Sequence, residues 1–190
     1  MSDVPTFDQV MAVTRGISSH TAFEEPECRA YYDLLCSLPD GATVLEIGLQ
    51  FGRSSSIVAQ LEKAKKFRYI GVDPFTQPPD AQKAWIDLMR RLAGAYQLYK
   101  MKSADVPPLP PLDLALIDGD HWADGVRTDC RLVLPLIKAG GYALFHDYGR
   151  EPLPDVYPTV HAEMIAAQMT GDWQELPTVG TLGIWRNGKC

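Results

Sequence analysis

Val44-Leu-Glu46-Ile-Gly48-Leu-Gln-Phe-Gly52-Arg-Ser54 is the stretch that decides how the rest of the chain is read. A short aliphatic run carries an acid near its end, two glycines follow four residues apart, and a helical pattern starts at about Ser54, with Ile57, Val58 and Leu61 on one face. A strand that turns through glycines into a helix is the opening unit of a parallel sheet covered by helices. The missing side chains at Gly48 and Gly52 let a ligand approach the backbone at the turn. An acid ahead of a GxxxG turn also differs from the GxGxxG expected of a dinucleotide oxidoreductase.

Outward from this unit the alternation continues. Phe67–Val72 reads as a second strand, and Trp85, Leu88, Met89, Leu92 and Tyr96 then recur at helical spacing before a third strand at Leu98–Met101. Leu112–Ile117 is the fourth strand. Val126, Cys130, Val133, Leu134 and Ile137 mark a helix stopped by Gly140-Gly141, and Tyr142–Phe145 supplies a fifth strand. A helix around Val160–Met169 leads to Trp173–Val179 and Thr181–Trp185, which are separated by Gly180 alone and are expected to pair antiparallel. Upstream, Cys28, Tyr31, Leu34 and Leu35 suggest an amphipathic helix.

With 190 residues, 46% of them hydrophobic and 22% charged, the chain suits one domain, read as residues 1–190 with an N-terminal helical segment over 1–40 and an α/β core over 41–190. Val106-Pro-Pro-Leu-Pro-Pro111 is too short to divide it and reads as a rigid loop. The net charge of −6 is the wrong sign for a phosphate backbone, so nucleic acid is not expected as a partner. No secretory leader and no apolar run of membrane-spanning length is seen, which predicts a soluble cytoplasmic protein with no membrane partner. Cys28, Cys36, Cys130 and Cys190 lack metal-like spacing and read as reduced, mostly core residues.

In open α/β sheets ligands bind beyond the carboxyl ends of the strands. Here those positions are unusually polar: Glu46 and Gly48 after the first strand, Asp73 after the second, Ser103 after the third, Asp118, Asp120 and His121 after the fourth, His146 and Asp147 after the fifth. Asp73 stands where a carboxylate can accept two hydrogen bonds from ribose hydroxyls.

Together, Val-Leu-Glu46-Ile-Gly48-x-x-x-Gly52-x-Ser54, Tyr-Ile-Gly-Val-Asp73-Pro-Phe and Ile-Asp118-Gly-Asp120-His121 resemble a class I S-adenosylmethionine-dependent methyltransferase, from about Thr21 to Arg186. Within it the chain is similar to the small O-methyltransferase-like group that includes macrocin-type sugar O-methyltransferases and cephalosporin-hydroxylase-like proteins. The resemblance implies a Rossmann-like three-layer sandwich around a mostly parallel seven-stranded sheet of order 3-2-1-4-5-7-6, with an antiparallel C-terminal hairpin. It implies that Glu46, Gly48, Gly52 and Ser54 hold the methionine portion of the cofactor, that Asp73 holds the ribose, that Ser103 contacts the adenine, and that Asp118 is the acid ending the fourth strand.

Asp118, His146 and Asp147 would meet across adjacent strand ends as a three-ligand site. In macrocin-type members such a cluster binds a divalent cation, and the residue matching Asp120 is the general base. Those members have a second acid where His146 stands, and the exchange shifts the expected cation from magnesium toward manganese, iron or zinc. The alternative is that Asp118 and Asp147 accept hydrogen bonds while His146 moves protons directly. His121 is a further base candidate beside Asp120. The function so implied is in-line methyl transfer to a hydroxyl of a small-molecule acceptor; the alternatives are a non-catalytic cofactor-binding module and a dinucleotide oxidoreductase.

The remaining features have bland readings. Lys63, Lys65, Lys66 and Arg68 sit at a predicted helix end, where cations favour the dipole. His20 and His161 have no motif partners, and Trp122 and Tyr148 either wall an acceptor pocket or pack. Phe7, Val10 and Met11 are expected to offer an apolar surface through which the chain self-associates into a homo-oligomer.

Overall fold

Alternation of aliphatic runs with amphipathic segments produces fifteen elements in the computed structural model, which describes residues 3–17, 23–76, 78–92, 94–151, 153–169 and 171–188. His20, Thr21 and Cys190 lie outside the described residues. In chain order the elements are α1 (Phe7–Thr14), α2 (Glu25–Ser37), β1 (Thr43–Ile47), α3 (Arg53–Lys65), β2 (Arg68–Val72), α4 (Ala81–Leu92), β3 (Gln97–Tyr99), a 3-10 turn (Ser103–Asp105), β4 (Leu112–Ile117), α5 (Ala123–Val133), a second 3-10 turn (Leu134–Leu136), β5 (Ile137–Phe145), α6 (Val156–Gln168), β6 (Trp173–Val179) and β7 (Leu182–Asn187).

The seven strands form one sheet of order β3-β2-β1-β4-β5-β7-β6, with β7 antiparallel to both of its neighbours, β5 and β6, and every other pairing parallel, the topology that the resemblance implies. Every residue of β1 is buried, as a central strand covered on both faces must be. Val44, Leu114, Leu116 and Leu144 pack under Leu35, Ile57, Leu61 and Trp85 of α2, α3 and α4. On the opposite face Leu45, Ala115 and Phe145 pack on Val126, Cys130, Val160 and Met164 of α5 and α6. Connections leave β1 toward β2 and β4 toward β5, so a crevice opens where their directions diverge.

Several expectations need correction. The helix read as running to Ile137 ends at Val133, because Pro135 brings no backbone N–H and the next turn tightens to 3-10. Ile137 is already strand, and Gly140-Gly141, read as a helix stop, lie inside β5 beside a register shift opposite Leu112 and Leu114. Tyr96 falls outside α4 and meets Trp85 edge-on at 4.8 Å.

Val10 and Met11 offer no association surface, since both are fully buried where α1 packs on α3. The Thr14 and Ser56 hydroxyls lie 2.8 Å apart across that contact, and Gln60 Nε2 donates to the Val10 carbonyl at 3.2 Å. Cys28, Cys36 and Cys130 are free thiols. Lys65 Nζ donates to the Cys36 carbonyl at 3.1 Å, in keeping with a structural part for the basic run. Among the described residues, no helix is long and apolar enough to cross a membrane.

Candidate active site

Gly48 follows β1 with φ +85°, and a Cβ there would sit 1.8 Å from the Asp118 carbonyl oxygen. Only glycine lets the β1 turn lie so close to the end of β4. Its amide donates to the Val72 carbonyl at 2.9 Å. Asp73 then fixes the turn from β2: one carboxylate oxygen accepts the Leu49 and Gln50 amides at 2.7 and 3.0 Å, the other the Phe75 amide at 2.5 Å. A carboxylate has about four lone-pair directions, so this leaves capacity for a ligand hydroxyl. Gly52 lines the cavity over this turn, and a Cβ there would come within 2.8 Å of Leu88 and Trp85 of α4, so glycine also serves the packing of α4 on the turn.

The turn floors a cavity of about 620 Å³ whose lining includes Gly48, Asp73, Ser103, Asp118, Asp120 and His121. That volume suits a small-molecule or cofactor site. Ser54 also lines it. Glu46 does not. It is fully buried beneath the turn, where its carboxylate accepts the hydroxyls of Ser54, Ser55 and Tyr69. Burial pushes its pKa up to about 7 against those three donors. The expected cofactor ligand is therefore a buried brace between β1, β2 and the first turn of α3, and Trp85 Nε1 extends the network to Ser55 at 2.9 Å.

At the ends of β4 and β5 the polar cluster assembles, in a different order from the expected one. Asp118, His121 and Asp147 each bring one ligand atom to within 4.8 Å of the others. His121 Nε2 lies 3.4 Å from Asp118 Oδ1 and 3.1 Å from Asp147 Oδ2. His146 stands behind them with both ring nitrogens engaged, Nδ1 3.1 Å from Asp118 Oδ1 and Nε2 3.4 Å from Glu27 Oε2. Asp147 is fully buried with φ +56°; Arg150 holds its Oδ1 at 2.8 Å, while its Oδ2 has no hydrogen-bond partner although His121 is within ion-pair distance.

Charge follows from this packing. Burial opposes the His146 cation, but Asp118, Glu27 and Asp147 outweigh it and raise its pKa to about 10. The adjacent Asp118 and Asp147 carboxylates raise His121 to about 9. Burial would raise Asp147; the adjacent His121, the Arg150 donor and the His146 charge bring it down to about 2. Both imidazoles thus carry protons at neutral pH when no other cation balances the acids. Two carboxylates and one imidazole, with an orphaned buried carboxylate oxygen, are a donor set that fits a borderline divalent cation.

Three residues in or behind the site escaped the sequence reading. Glu27 is a buried acid on the apolar face of α2. Asp129 shares the buried stripe Val126, Cys130 and Val133 of α5 and lines the cavity. Arg53 lines it from the first turn of α3. An acid at a core position of an amphipathic helix was a legible signal in two of these. Of the other candidates, Trp122 is 73% exposed at the α5 N-cap, whereas Tyr148 is buried with its hydroxyl donated to Glu175 at 2.8 Å. Tyr148 therefore packs, and His161 stacks on Tyr157.

A family described as a methyltransferase domain matches residues 45–148. A protein of Acanthamoeba polyphaga mimivirus, described as uncharacterized, is 31% identical over 132 residues, covering 64% of this chain and 59% of its own. The chain thus spans about three-fifths of the curated relative it matches. Among solved structures, CalS11, a TDP-rhamnose 3'-O-methyltransferase of calicheamicin biosynthesis, superposes with a TM-score of 0.70 at 16% identity over 99% of this chain and 89% of that one. An rRNA methylase from Streptococcus thermophilus gives 0.65 at 14% identity over 89% of this chain and 100% of that one. Identities this low speak for the fold alone. Since that fold is shared with an rRNA methylase, it gives no support to the expected exclusion of nucleic acid. The family match covers more than half of the chain and takes in the glycine turn, Asp73 and the strand-end cluster: the chain belongs to the class I S-adenosylmethionine-dependent methyltransferases.

Proposed function

We propose that the chain transfers the methyl group of S-adenosylmethionine to a hydroxyl oxygen of a small molecule, beside a divalent cation held by Asp118, His121 and Asp147. The observation that carries this reading is that Asp118 and His121 belong both to the cofactor cavity and to the acid–imidazole cluster. A small acceptor is favoured over RNA by the net charge of −6 and the carboxylates around the cavity.

Gly48 admits the cofactor to the turn, and Asp73 orients its ribose. Asp120, which lines the cavity with Oδ1 engaged by the Trp122 amide at 3.0 Å, takes the acceptor proton on Oδ2. The methyl carbon bonds to the acceptor oxygen as its bond to sulfur breaks, and S-adenosylhomocysteine leaves. The cation would fix the acceptor oxygen and lower its hydroxyl pKa by several units. His121 serves as ligand rather than base, because its Nε2 converges with the Asp118 and Asp147 carboxylates, where a bound cation would displace its proton. His146 orients Asp118 and gives up the ligand place assigned to it from sequence.

The test couples metal binding to transfer of labelled methyl groups from S-adenosylmethionine into small-molecule and RNA fractions. Manganese should bind the wild type at about one equivalent and Asp147→Asn at least tenfold more weakly. Label should enter the small-molecule fraction and be abolished by chelator. Undiminished transfer in excess chelator removes the cation, and label confined to RNA removes the acceptor class.

A further inference from the structure

Glu27 is buried to a degree that its place in α2 does not require. It stands on the inward stripe with Cys28, Tyr31 and Leu35 and is 1% exposed. A capping box explains one of its contacts, the Glu24 amide on Oε2 at 2.7 Å. A carboxylate so employed ordinarily stays in water, and burying it is costly unless donors surround it. Here Oε1 reaches the β6–β7 turn and accepts the Thr181 amide at 2.7 Å and its hydroxyl at 2.9 Å. That turn is shaped around the carboxylate: Gly180 has φ +59°, and a Cβ there would lie 2.7 Å from Oε1. The remaining side of Oε2 faces His146 Nε2 at 3.4 Å.

The His146 side chain is fully buried and meets the strand-end cluster with its other nitrogen, Nδ1 lying 3.1 Å from Asp118 Oδ1 and 3.7 Å from Asp147 Oδ2. The Phe23 ring, just ahead of α2, covers the imidazole at 5.2 Å between centroids. A half-turn about χ2 exchanges each ring nitrogen for a carbon, so the Glu27 contact adds to the cost of losing the Asp118 one. We propose that Glu27 is a positioning residue: by holding His146 Nε2 it fixes the imidazole with Nδ1 on Asp118, and through it the Asp118 carboxylate at the wall of the cavity. Glu27 acts from behind the site, since Asp118 lines that cavity and Glu27 does not. What this does for a cation rests on the functional reading above; the hold on the ring does not.

Two variants separate positioning from support of the fold. Glu27→Gln has one acceptor oxygen where two are engaged, which sets its NH2 against a backbone amide and the ring, whereas Thr181→Val takes a hydrogen bond from Oε1 and leaves Oε2 untouched. Both should lower the urea midpoint. With 15N-labelled histidine, wild type should show two His146 ring N–H protons in slow exchange with water, assigned by their contacts to the Phe23 ring; Thr181→Val should keep both and Glu27→Gln should lose the Nε2 proton. Manganese affinity by calorimetry should fall about tenfold or more in Glu27→Gln and stay within about threefold of wild type in Thr181→Val. Fewer than two such protons in wild type overturn the proposal without any variant. Both protons retained in Glu27→Gln, or manganese affinity that is unchanged there or equally reduced in Thr181→Val, overturn it as well. Failure of wild type to bind manganese overturns the cation of the functional reading, and the ring protons then decide the part of Glu27.

Discussion

Glu27→Gln isolates the electrostatics that tie α2 and the β6–β7 hairpin to the strand-end cluster. Glu27 Oε1 accepts the Thr181 amide at 2.7 Å and its hydroxyl at 2.9 Å, while Oε2 accepts the Glu24 amide at 2.7 Å and lies 3.4 Å from His146 Nε2. Glutamine keeps the volume, and its carbonyl can retain Thr181. Its NH2 then faces the Glu24 amide and a protonated imidazole, two donors it cannot satisfy. Hydrogen bonds to charged partners contribute about 1.5–3 kcal/mol each, so losing these two, one of them long, should cost about 2–4 kcal/mol. For a chain of this size that lowers Tm by about 5–15 °C. Urea denaturation at neutral pH reads the loss directly.

The pH dependence has a definite sign. Burial alone would raise the Glu27 pKa, but donation from His146, Glu24 and Thr181 and the imidazole charge hold it below the usual 4.5. Its contribution is therefore present above 4.5 and is lost as pH falls through the lower folded value, so the gap between wild type and variant must narrow in acid. A gap below about 0.5 kcal/mol at neutral pH, the ordinary scatter of surface changes, refutes the reasoning. So does a gap that stays constant in acid.

Gly48→Ala should lower S-adenosylhomocysteine affinity at least tenfold by calorimetry, because φ +85° costs a non-glycine residue about 1–2 kcal/mol and the new Cβ lies 1.8 Å from the Asp118 carbonyl oxygen; unchanged affinity would show that the turn does not bear on the cofactor. Met11→Ala removes a fully buried side chain and should destabilise the fold by about 2–5 kcal/mol without altering the sedimentation coefficient. A change in association with intact stability would return α1 to an intermolecular role.

Along the chain, period and punctuation made the α/β class, the alternation and the strand-end positions readable, because burying a strand on two faces demands an aliphatic run and turning into a helix demands glycine or a cap. The strand order came through the resemblance carried by the Glu46–Ser54 and Asp118–His121 motifs. Sequence placed Asp73, Asp118, His121 and Asp147 at one edge of the sheet, but which side chains meet there depends on register and helix packing. Glu46, though it stands in the first motif, faces the α2–α3 side, and only the packed structure shows it as a brace beneath the turn. His146 looked like a ligand until Glu27, 119 residues away in sequence, took its second nitrogen. Asp129 and Arg53 line one cavity only because α5 and α3 cover opposite faces of the sheet. Local periodicity specifies which face of its own element a residue occupies; the identity of its partner is a long-range contact, fixed when burial and charge pairing are satisfied throughout the fold at once.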